Sequence, residues 1–158
     1  MEVRDLRPGD WPEVADIYRE GIRSGATFAT EAPAWDAWDS SHRLRLVAAT
    51  GGDVLGWAAL EPVSERHVYR GVVRSAVYVQ EAVRGQGIGR ALMSELIERA
   101  EAAGIWTIEA SLFPENEASM RLHLGLGFRV VGVRERIGQR DGVWRDTVLL
   151  ERRSEVVR

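Results

Sequence analysis

The chain has 158 residues, 45% of them hydrophobic and 28% charged, with a formal net charge of −3. A chain of this length buries about 70% of its extended surface in one core, and its slightly acidic charge argues against a general nucleic-acid binder. All 21 basic residues are arginine and no residue is cysteine, which excludes lysine Schiff bases, lysine-containing phosphate loops, thiolate nucleophiles and disulfides.

Metal and membrane functions are also disfavoured by the sequence. The three histidines, His42, His67 and His123, are too widely spaced to predict a metal site. No segment approaches the run of ~20 apolar residues that spans a membrane, and the start, MEVRDLRPGD, has no apolar core. We therefore expect a cytoplasmic protein without a bound metal.

The first part of the chain predicts a short edge strand followed by two helices. The strand is EVRDL at 2–6, and the helix over 9–22 starts with Asp10 as its cap. A loop rich in Gly, Pro and Thr over 24–35 leads to a second short helix over 35–44. The apolar stripe of the first helix consists of Trp11, Val14, Ala15, Tyr18 and Ile22.

Three strands are predicted next. RLVAAT at 45–50 and VLGWAALEPV at 54–63 form a hairpin, because the GGD between them is a turn sequence. RHVYRGVVRSAVYV at 66–79 predicts one long third strand, on which Arg70 and Arg74 share a face. Both arginines are thus able to face a common cleft, or to lie exposed at the edge of the sheet.

The third strand runs into AVRGQGIGRAL at 82–92, a glycine-rich loop that opens a helix. Gly85, Gly87 and Gly89 occupy every second position. A helical apolar stripe follows, and charged residues take the other side of the helix. The stripe consists of Ile88, Ala91, Leu92, Leu96 and Ala100.

The last third predicts a strand, a helix and a closing hairpin. IWTIEASLF at 105–113 is the strand, and within 114–128 Asn116 caps a short helix that Gly127 ends. FRVVGVRERI and VWRDTVLLE form two closing strands around an Asp-Gly turn at 141–142. The whole chain is therefore expected to form a single mixed α/β sheet with helices on both faces.

The glycine loop does not match a dinucleotide-binding fingerprint. The pattern G-x-G-x-x-G/A requires Gly or Ala at position 90 or 92, where the chain has Arg90 and Leu92, and we expect no βαβ unit around the loop. One interpretation is a tight turn that needs glycine only for positive φ. The other is a phosphate site made of free N–H groups at the helix start, which the flanking Arg84 and Arg90 favour.

RGQGIG resembles the R/Q-x-x-G-x-G/A acetyl-CoA loop of the GNAT N-acetyltransferase superfamily, with Arg84, Gly87 and Gly89 at the defining positions. The order of elements resembles that of the superfamily over nearly the whole chain. The resemblance implies one domain over 1–153 with a short tail over 154–158. It also implies a mixed, mostly antiparallel sheet of about seven strands flanked by about four helices.

The same resemblance implies where acetyl-CoA, the co-substrate, is bound. Backbone N–H groups of the loop would hold its pyrophosphate, and the preceding strand would pair with its pantetheine arm. NEASMRLHLGLGF is similar to the next block of the superfamily, in which the asparagine contacts the pantetheine. The implied acetyl-CoA residues are Val77, Tyr78, Val79, Arg84, Gly85, Gln86, Gly87, Ile88, Gly89, Arg90, Asn116 and Ser119.

Four stretches resemble one branch of the superfamily, the phosphinothricin and methionine sulfoximine acetyltransferases: TFATEAP, RHVYRGVVRSAVYV, RLHLGLGF and RDGVWRD. The likeness implies acetylation of the α-amine of a small amino-acid-like acceptor, and we expect the neutral amine to attack acetyl-CoA directly. It also implies an acceptor pocket lined by Phe28, Arg66 and Tyr69, in which Arg66 clamps the acceptor carboxylate. Each of these residues also has an interpretation without a binding role. Phe28 and Tyr69 could simply pack in the core, and Arg66 could simply be exposed to solvent.

Two residues bear on proton transfer in this branch. His123 stands at the branch's histidine position, and its imidazole can accept the proton of the amine or return one to sulfur; a structural role is the alternative. The branch carries a glutamate, its general base, at the position of Arg74, and arginine cannot accept a proton at working pH. Either His123 or a water relay then takes the proton, or the acceptor differs, or turnover is slow. We predict that Arg74 is one of the substrate-binding residues.

Three functions remain open from the sequence. The first is an amino-acid-type N-acetyltransferase, the second an acetyl-CoA sensor with weak or no turnover, and the third a peptide N-terminal acetyltransferase. We expect a homodimer, as is common in this branch, with no nucleic-acid or membrane partner. Trp35, Trp38 and Trp144 are candidates for either the dimer interface or the core.

Overall fold

A computed structural model describes all residues, 1–158, and shows a seven-stranded sheet flanked by four α-helices, which confirms the expected fold class. The helices are α1 (Trp11–Arg23), α2 (Trp35–Ser41), α3 (Ile88–Ala102) and α4 (Glu117–Gly125). The strands are β1 (Glu2–Asp5), β2 (Arg43–Thr50), β3 (Asp53–Pro62), β4 (Val72–Val79), β5 (Thr107–Leu112), β6 (Arg129–Arg140) and β7 (Val143–Arg153). None of the helices is both long enough and apolar enough to span a lipid bilayer.

The strand order is β1-β2-β3-β4-β5-β7-β6. Neighbouring strands are antiparallel except β4 and β5, which run parallel and are connected through α3. The glycine loop is therefore part of a βαβ unit, and our expectation that no such unit surrounds it was wrong. Parallel neighbours need a crossover connection, and α3 provides it.

Each face of the sheet has its own hydrophobic core, which confirms helices on both faces. α3 covers one face, where its Leu92, Met93 and Leu96 are fully buried against the strands. α1 and α2 cover the other face. The buried residues there are Leu6, Val14, Ile17, Trp38, Val47, Val54, Trp57 and Ala59. The predicted stripe of α3 is buried except at Ala91, which is only half-buried.

The two predicted helix caps have different outcomes. Asp10 does not cap α1, because its carboxylate accepts hydrogen bonds from the Arg7 N–H at 2.7 Å and from the Arg4 guanidinium at 2.8 and 2.9 Å. The bonds from Arg4 lower the pKa of the Asp10 carboxyl and tie β1 to the turn before α1. Asn116 does cap α4, with its Oδ1 3.2 Å from the Ser119 nitrogen.

The third strand of the meander is shorter than predicted. β4 begins only at Val72, and residues 67–69 form a 3-10 turn. The indole of Trp106 occupies the space that a side chain at Gly71 would need. The backbone N–H of Trp106 donates to the backbone carbonyl of Gly71 at 2.9 Å. Arg70 therefore lies outside β4, with its guanidinium 5.3 Å from the Trp106 ring centroid, and does not share the face of Arg74.

Candidate active site

β4 and β5 pair at one end only and then diverge. Their pairing covers residues 72–74 of β4 and 107–109 of β5. Beyond these residues β4 pairs with β3 alone, up to Val79, and β5 pairs with β7 alone, up to Leu112. The divergence opens a cleft of about 1270 Å³. The free edge of β4 therefore offers backbone N–H and C=O groups to an extended ligand, as in strand addition.

The glycine loop lies at one end of this cleft. Gly85 and Gly87 have φ angles of 79° and 81°, in the left-handed region that favours glycine, and Gly87 immediately precedes α3. The first N–H groups of a helix have no partner within the helix, and the helix dipole adds partial positive charge beside them. Arg84 and Arg90 line the same part of the cleft. This corner therefore has the donors and the charge that bind a phosphate or a pyrophosphate.

His123 is a buried histidine that lines the cleft from α4. Its Nδ1 lies 2.7 Å from the Ser119 carbonyl oxygen, and since a carbonyl can only accept, Nδ1 carries the hydrogen. The Nε2 of the neutral ring then keeps its lone pair. Burial lowers the pKa of His123, and the bond to Ser119 opposes that shift in part. His123 is therefore a neutral proton acceptor near pH 7.

Aromatic rings form the wall of the cleft on the α1 side. Tyr78 of β4 stacks on Tyr18 and Trp57, with centroid distances of 5.0 and 4.8 Å. Burial raises the pKa of Tyr18 to about 12, and burial also raises the pKa of Tyr78. Both phenols therefore remain uncharged at neutral pH. Phe28 packs edge-on against Phe113, 4.9 Å between centroids, and both rings line the same cleft.

Two charged side chains, Glu61 of β3 and Arg74 of β4, line the paired end of the cleft, and Glu109 of β5 holds Arg74 from outside the lining. Arg74 donates to Oε1 of Glu109 from Nη2 at 2.6 Å and from Nε at 3.1 Å. Glu61 of β3 is paired in register with Arg74 and also lines the cleft, where its Oε2 is 3.8 Å from Nε2 of His42. Sequence reasoning missed Glu61, His42 and Glu109. The alternation of β3 could have placed Glu61 on a cleft face, but Glu109 depends on a parallel register that no sequence signal gives.

Most residues predicted from the sequence line this one cleft. They are Phe28, Arg74, Val77, Tyr78, Val79, Arg84, Gly85, Gly87, Ile88, Gly89, Arg90, Asn116, Ser119 and His123. Gln86 is exposed in the loop and is not part of the lining. Arg66 and Tyr69 are exposed outside the cleft, where the guanidinium lies 5.6 Å from the tyrosine ring centroid. Within one chain these two residues do not line the acceptor pocket, because the turn at 67–69 replaces the start of the expected strand.

The chain nowhere brings three or more His, Asp or Glu side chains together as metal ligands would be. The absence of a metal site stays a prediction. The chemistry available in the cleft is that of backbone donors, arginines, carboxylates and the imidazoles of His42 and His123.

Known proteins resemble this chain over most of its length. Residues 10–128 match the model of the Acetyltransferase (GNAT) family. A protein of Pseudomonas paraeruginosa named L-methionine sulfoximine/L-methionine sulfone acetyltransferase is 34% identical over an alignment of 158 positions. The alignment covers 94% of this chain and 92% of that protein.

Solved structures share the fold. A phosphinothricin acetyltransferase of the GNAT superfamily from Sinorhizobium meliloti, solved in complex with acetyl-CoA, is 30% identical with a TM-score of 0.88 and covers 96% of this chain and 87% of its own. A ribosomal-protein-alanine N-acetyltransferase from Brucella melitensis is 28% identical with a TM-score of 0.90, covering 98% and 100%. The similarity thus includes both ends of the cleft.

Proposed function

The chain belongs to the GNAT acetyltransferase family, and from that premise we propose that it transfers the acetyl group of acetyl-CoA to the α-amine of a small amino-acid-like acceptor. The observation that carries the proposal is the divergence of β4 from β5, with the glycine loop at one end and charged side chains at the other. Acetyl-CoA is bound in a solved relative of the same fold, and two relatives are named for amino-acid-like acceptors.

The acetyl-CoA end of the cleft is formed by the loop and by the free edge of β4. Loop N–H groups between Arg84 and Gly89 hold the pyrophosphate, because they lie at the positive end of the α3 dipole beside Arg84 and Arg90. Val77 to Val79 offer their backbone groups to the pantetheine arm, and Asn116 and Ser119 line the opposite side. This arrangement directs the thioester towards the middle of the cleft.

The acceptor end holds the amine beside that thioester. Arg74 binds the acceptor carboxylate with the part of its guanidinium that Glu109 does not use, since the two bonds to Glu109 leave Nη1 free. Phe28 and Tyr78 enclose the side chain of the acceptor. Fixing the amine and thioester in contact can supply ~7–11 kcal/mol of the barrier reduction, so positioning is the largest contribution expected here.

The reaction is a direct transfer with no covalent acyl-enzyme. The neutral amine nitrogen attacks the thioester carbon, so that a C–N bond forms, and the C–S bond breaks when the tetrahedral species collapses. A backbone N–H between Val77 and Val79 stabilises the oxyanion. Nε2 of His123 accepts the proton that the attacking nitrogen loses and returns it to the departing sulfur.

The proposal is tested by measuring coenzyme A release with a thiol reagent. The chain has no cysteine, so the reagent reports only the product thiol. Methionine sulfone, methionine sulfoximine and phosphinothricin should be acetylated faster than amines that lack a carboxylate. Binding of acetyl-CoA without turnover of any amine would support an acetyl-CoA sensor instead.

A second function is favoured by one specific observation, the likeness to the ribosomal-protein-alanine N-acetyltransferase. The N-terminal amine of a peptide has no free α-carboxylate, so such an acceptor would leave the guanidinium of Arg74 without its ligand. Faster turnover of alanine-initiated peptides than of the free amino acids would establish this alternative. A cytoplasmic address, and the absence of nucleic-acid and membrane partners, stay predictions from the sequence.

Removing the cationic side chain of Arg74 should raise KM for α-amino-acid acceptors about 10- to 100-fold with little change in kcat. The variant is Arg74→Gln combined with Glu109→Gln, since Arg74→Gln alone would leave a largely buried carboxylate without its partner. KM should be compared for an amino acid and for its carboxamide, and the variant should lose the preference for the acid. Arg70→Gln is the matched control, because Arg70 lies outside the cleft. An unchanged preference would contradict the role of Arg74.

We also propose that the chain forms a homodimer through the β6–β7 hairpin. β6 is an edge strand, and the hairpin exposes Val130, Val131, Val133, Ile137, Val143 and Trp144. Light scattering should give twice the 17.7 kDa chain mass, and Val133→Glu with Ile137→Glu should give the monomer. Val68→Glu, at a similarly exposed residue elsewhere, is the control. A monomeric wild-type chain would overturn the proposal.

Trp38, which the sequence also offered as a candidate for the dimer interface, is instead buried in the core.

A further inference from the structure

A row of five charged residues crosses the sheet, one residue on each of β3, β4, β5, β7 and β6. The register joins Glu61 to Arg74, Arg74 to Glu109, Glu109 to Glu151, and Glu151 to Arg129. Both arginines of the row form ion pairs, Arg74 with Glu109 at 2.6 Å and Arg129 with Glu151 at 2.9 Å. Glu61 is thus the one carboxylate of the row that no arginine neutralises.

Glu61 is open to the cleft and has no arginine partner there. Its side chain is 44% exposed, and the nearest basic group is His42 Nε2 at 3.8 Å. Nδ1 of His42 donates to the Trp38 carbonyl oxygen at 2.8 Å, so Nε2 is the ring nitrogen that faces Glu61. The pKa of Tyr18 is raised mainly by burial, and further by electrostatic repulsion from Tyr78 and then from Glu61. The acceptor end of the cleft therefore contains one carboxylate that forms no ion pair with an arginine.

We propose that Glu61 binds the ammonium group of the acceptor and removes the proton that this group must lose before it reacts. The inference rests on the proposed function and deepens it, because it identifies the acceptor as a zwitterion held by two residues. Arg74 takes the carboxylate and Glu61 the ammonium. An α-amino acid carries its ammonium and carboxylate groups on one carbon, so the two residues that bind them must be neighbours. Directly paired residues of adjacent strands meet this need, with Cβ atoms ~4.5–5.5 Å apart.

The proton balance of the step is complete without any further reactant. The ammonium nitrogen gives one proton to the Glu61 carboxylate, directly or through one water, and the exposed carboxyl passes it to solvent. The nitrogen lone pair then forms the C–N bond while the C–S bond breaks, as described above. The carboxylate expected at position 74 is thus present on the neighbouring strand, and Arg74 is free to bind the opposite charge of the same acceptor.

The test is Glu61→Gln, which removes the charge and keeps the size of the side chain. With methionine sulfone as acceptor, kcat/KM should fall about 10- to 100-fold, while the calorimetric Kd of acetyl-CoA stays that of the wild type. Glu61→Asp, which keeps the charge on a shorter stem, should recover part of the loss. Glu65→Gln, in the exposed loop after β3, is the matched control and should equal the wild type.

A second measurement separates the loss of one contact from damage to the cleft. The α-hydroxy-acid analogue of the acceptor has no ammonium group, so as a competitive inhibitor it should bind Glu61→Gln at least as tightly as the wild type. Equal weakening of acceptor and analogue would overturn the inference, as would wild-type kinetics in Glu61→Gln. A wild-type chain that acetylates no amino acid would instead overturn the proposed function, and with it the role of Glu61.

Discussion

Gly87→Val is expected to weaken acetyl-CoA binding at least about 100-fold. Gly87 has a φ of 81° immediately before α3, and a β-branched residue is strongly disfavoured there, so the loop must change its backbone conformation. A changed backbone turns the loop N–H groups away from the pyrophosphate. Each hydrogen bond to a charged group contributes about 1.5–3 kcal/mol, so losing two of them accounts for the expected factor. Calorimetry gives the affinity, and the thermal shift caused by acetyl-CoA should disappear.

Gly104→Val is the matched control for this experiment. Gly104 has a φ of 82° just past the other end of α3, and a Cβ atom added at either glycine would meet no other atom within 4 Å. Both variants therefore carry a similar backbone strain, about 1–2 kcal/mol, and should lose similar stability. Only the loop variant should lose acetyl-CoA affinity. Equal affinities in both variants would mean that the loop is a structural turn and that the pyrophosphate lies elsewhere.

The local elements of the fold could be predicted because each has a local cause. The Gly-Gly-Asp and Asp-Gly sequences make hairpin turns, and Asn116 caps its helix through its own side chain. The start of β4 could not be predicted, because Trp106 covers Gly71 from a position far along the chain. The valines and tyrosines over 66–79 are compatible with a strand, and only the tertiary contact ends it.

The candidate site could be predicted in part for the same reason. The loop and His123 stand within contiguous motifs, so the sequence locates them without knowledge of the fold. The pairing of Arg74 with Glu61 and Glu109 depends on the registers of three strands, one of them parallel. A shift of one residue would move each side chain to the other face of the sheet, and no short motif specifies that register. Arg74 therefore looked like a missing base, whereas the structure shows it between two carboxylates.

His123→Asn should lower kcat about 10²- to 10⁴-fold, the usual contribution of general acid–base catalysis. The asparagine amide can replace Nδ1–H as the donor to the Ser119 carbonyl, but it has no counterpart of Nε2. The packing against Phe128 and the bond to Ser119 are thereby largely kept, and the proton acceptor is lost. The calorimetric Kd of acetyl-CoA should be unchanged.

The pH dependence of kcat in wild type and His123→Asn distinguishes a catalytic from a structural role. Burial lowers the pKa of His123 from its ordinary value of 6.5, so the neutral, active ring persists as the pH falls through 6.5. The wild-type rate should therefore decline only below that pH, as the ring becomes protonated. The asparagine variant should lack this acidic limb, because residue 123 no longer titrates. If the limb persists in the variant at a wild-type rate, another group such as Glu61 handles every proton, and His123 only supports α4.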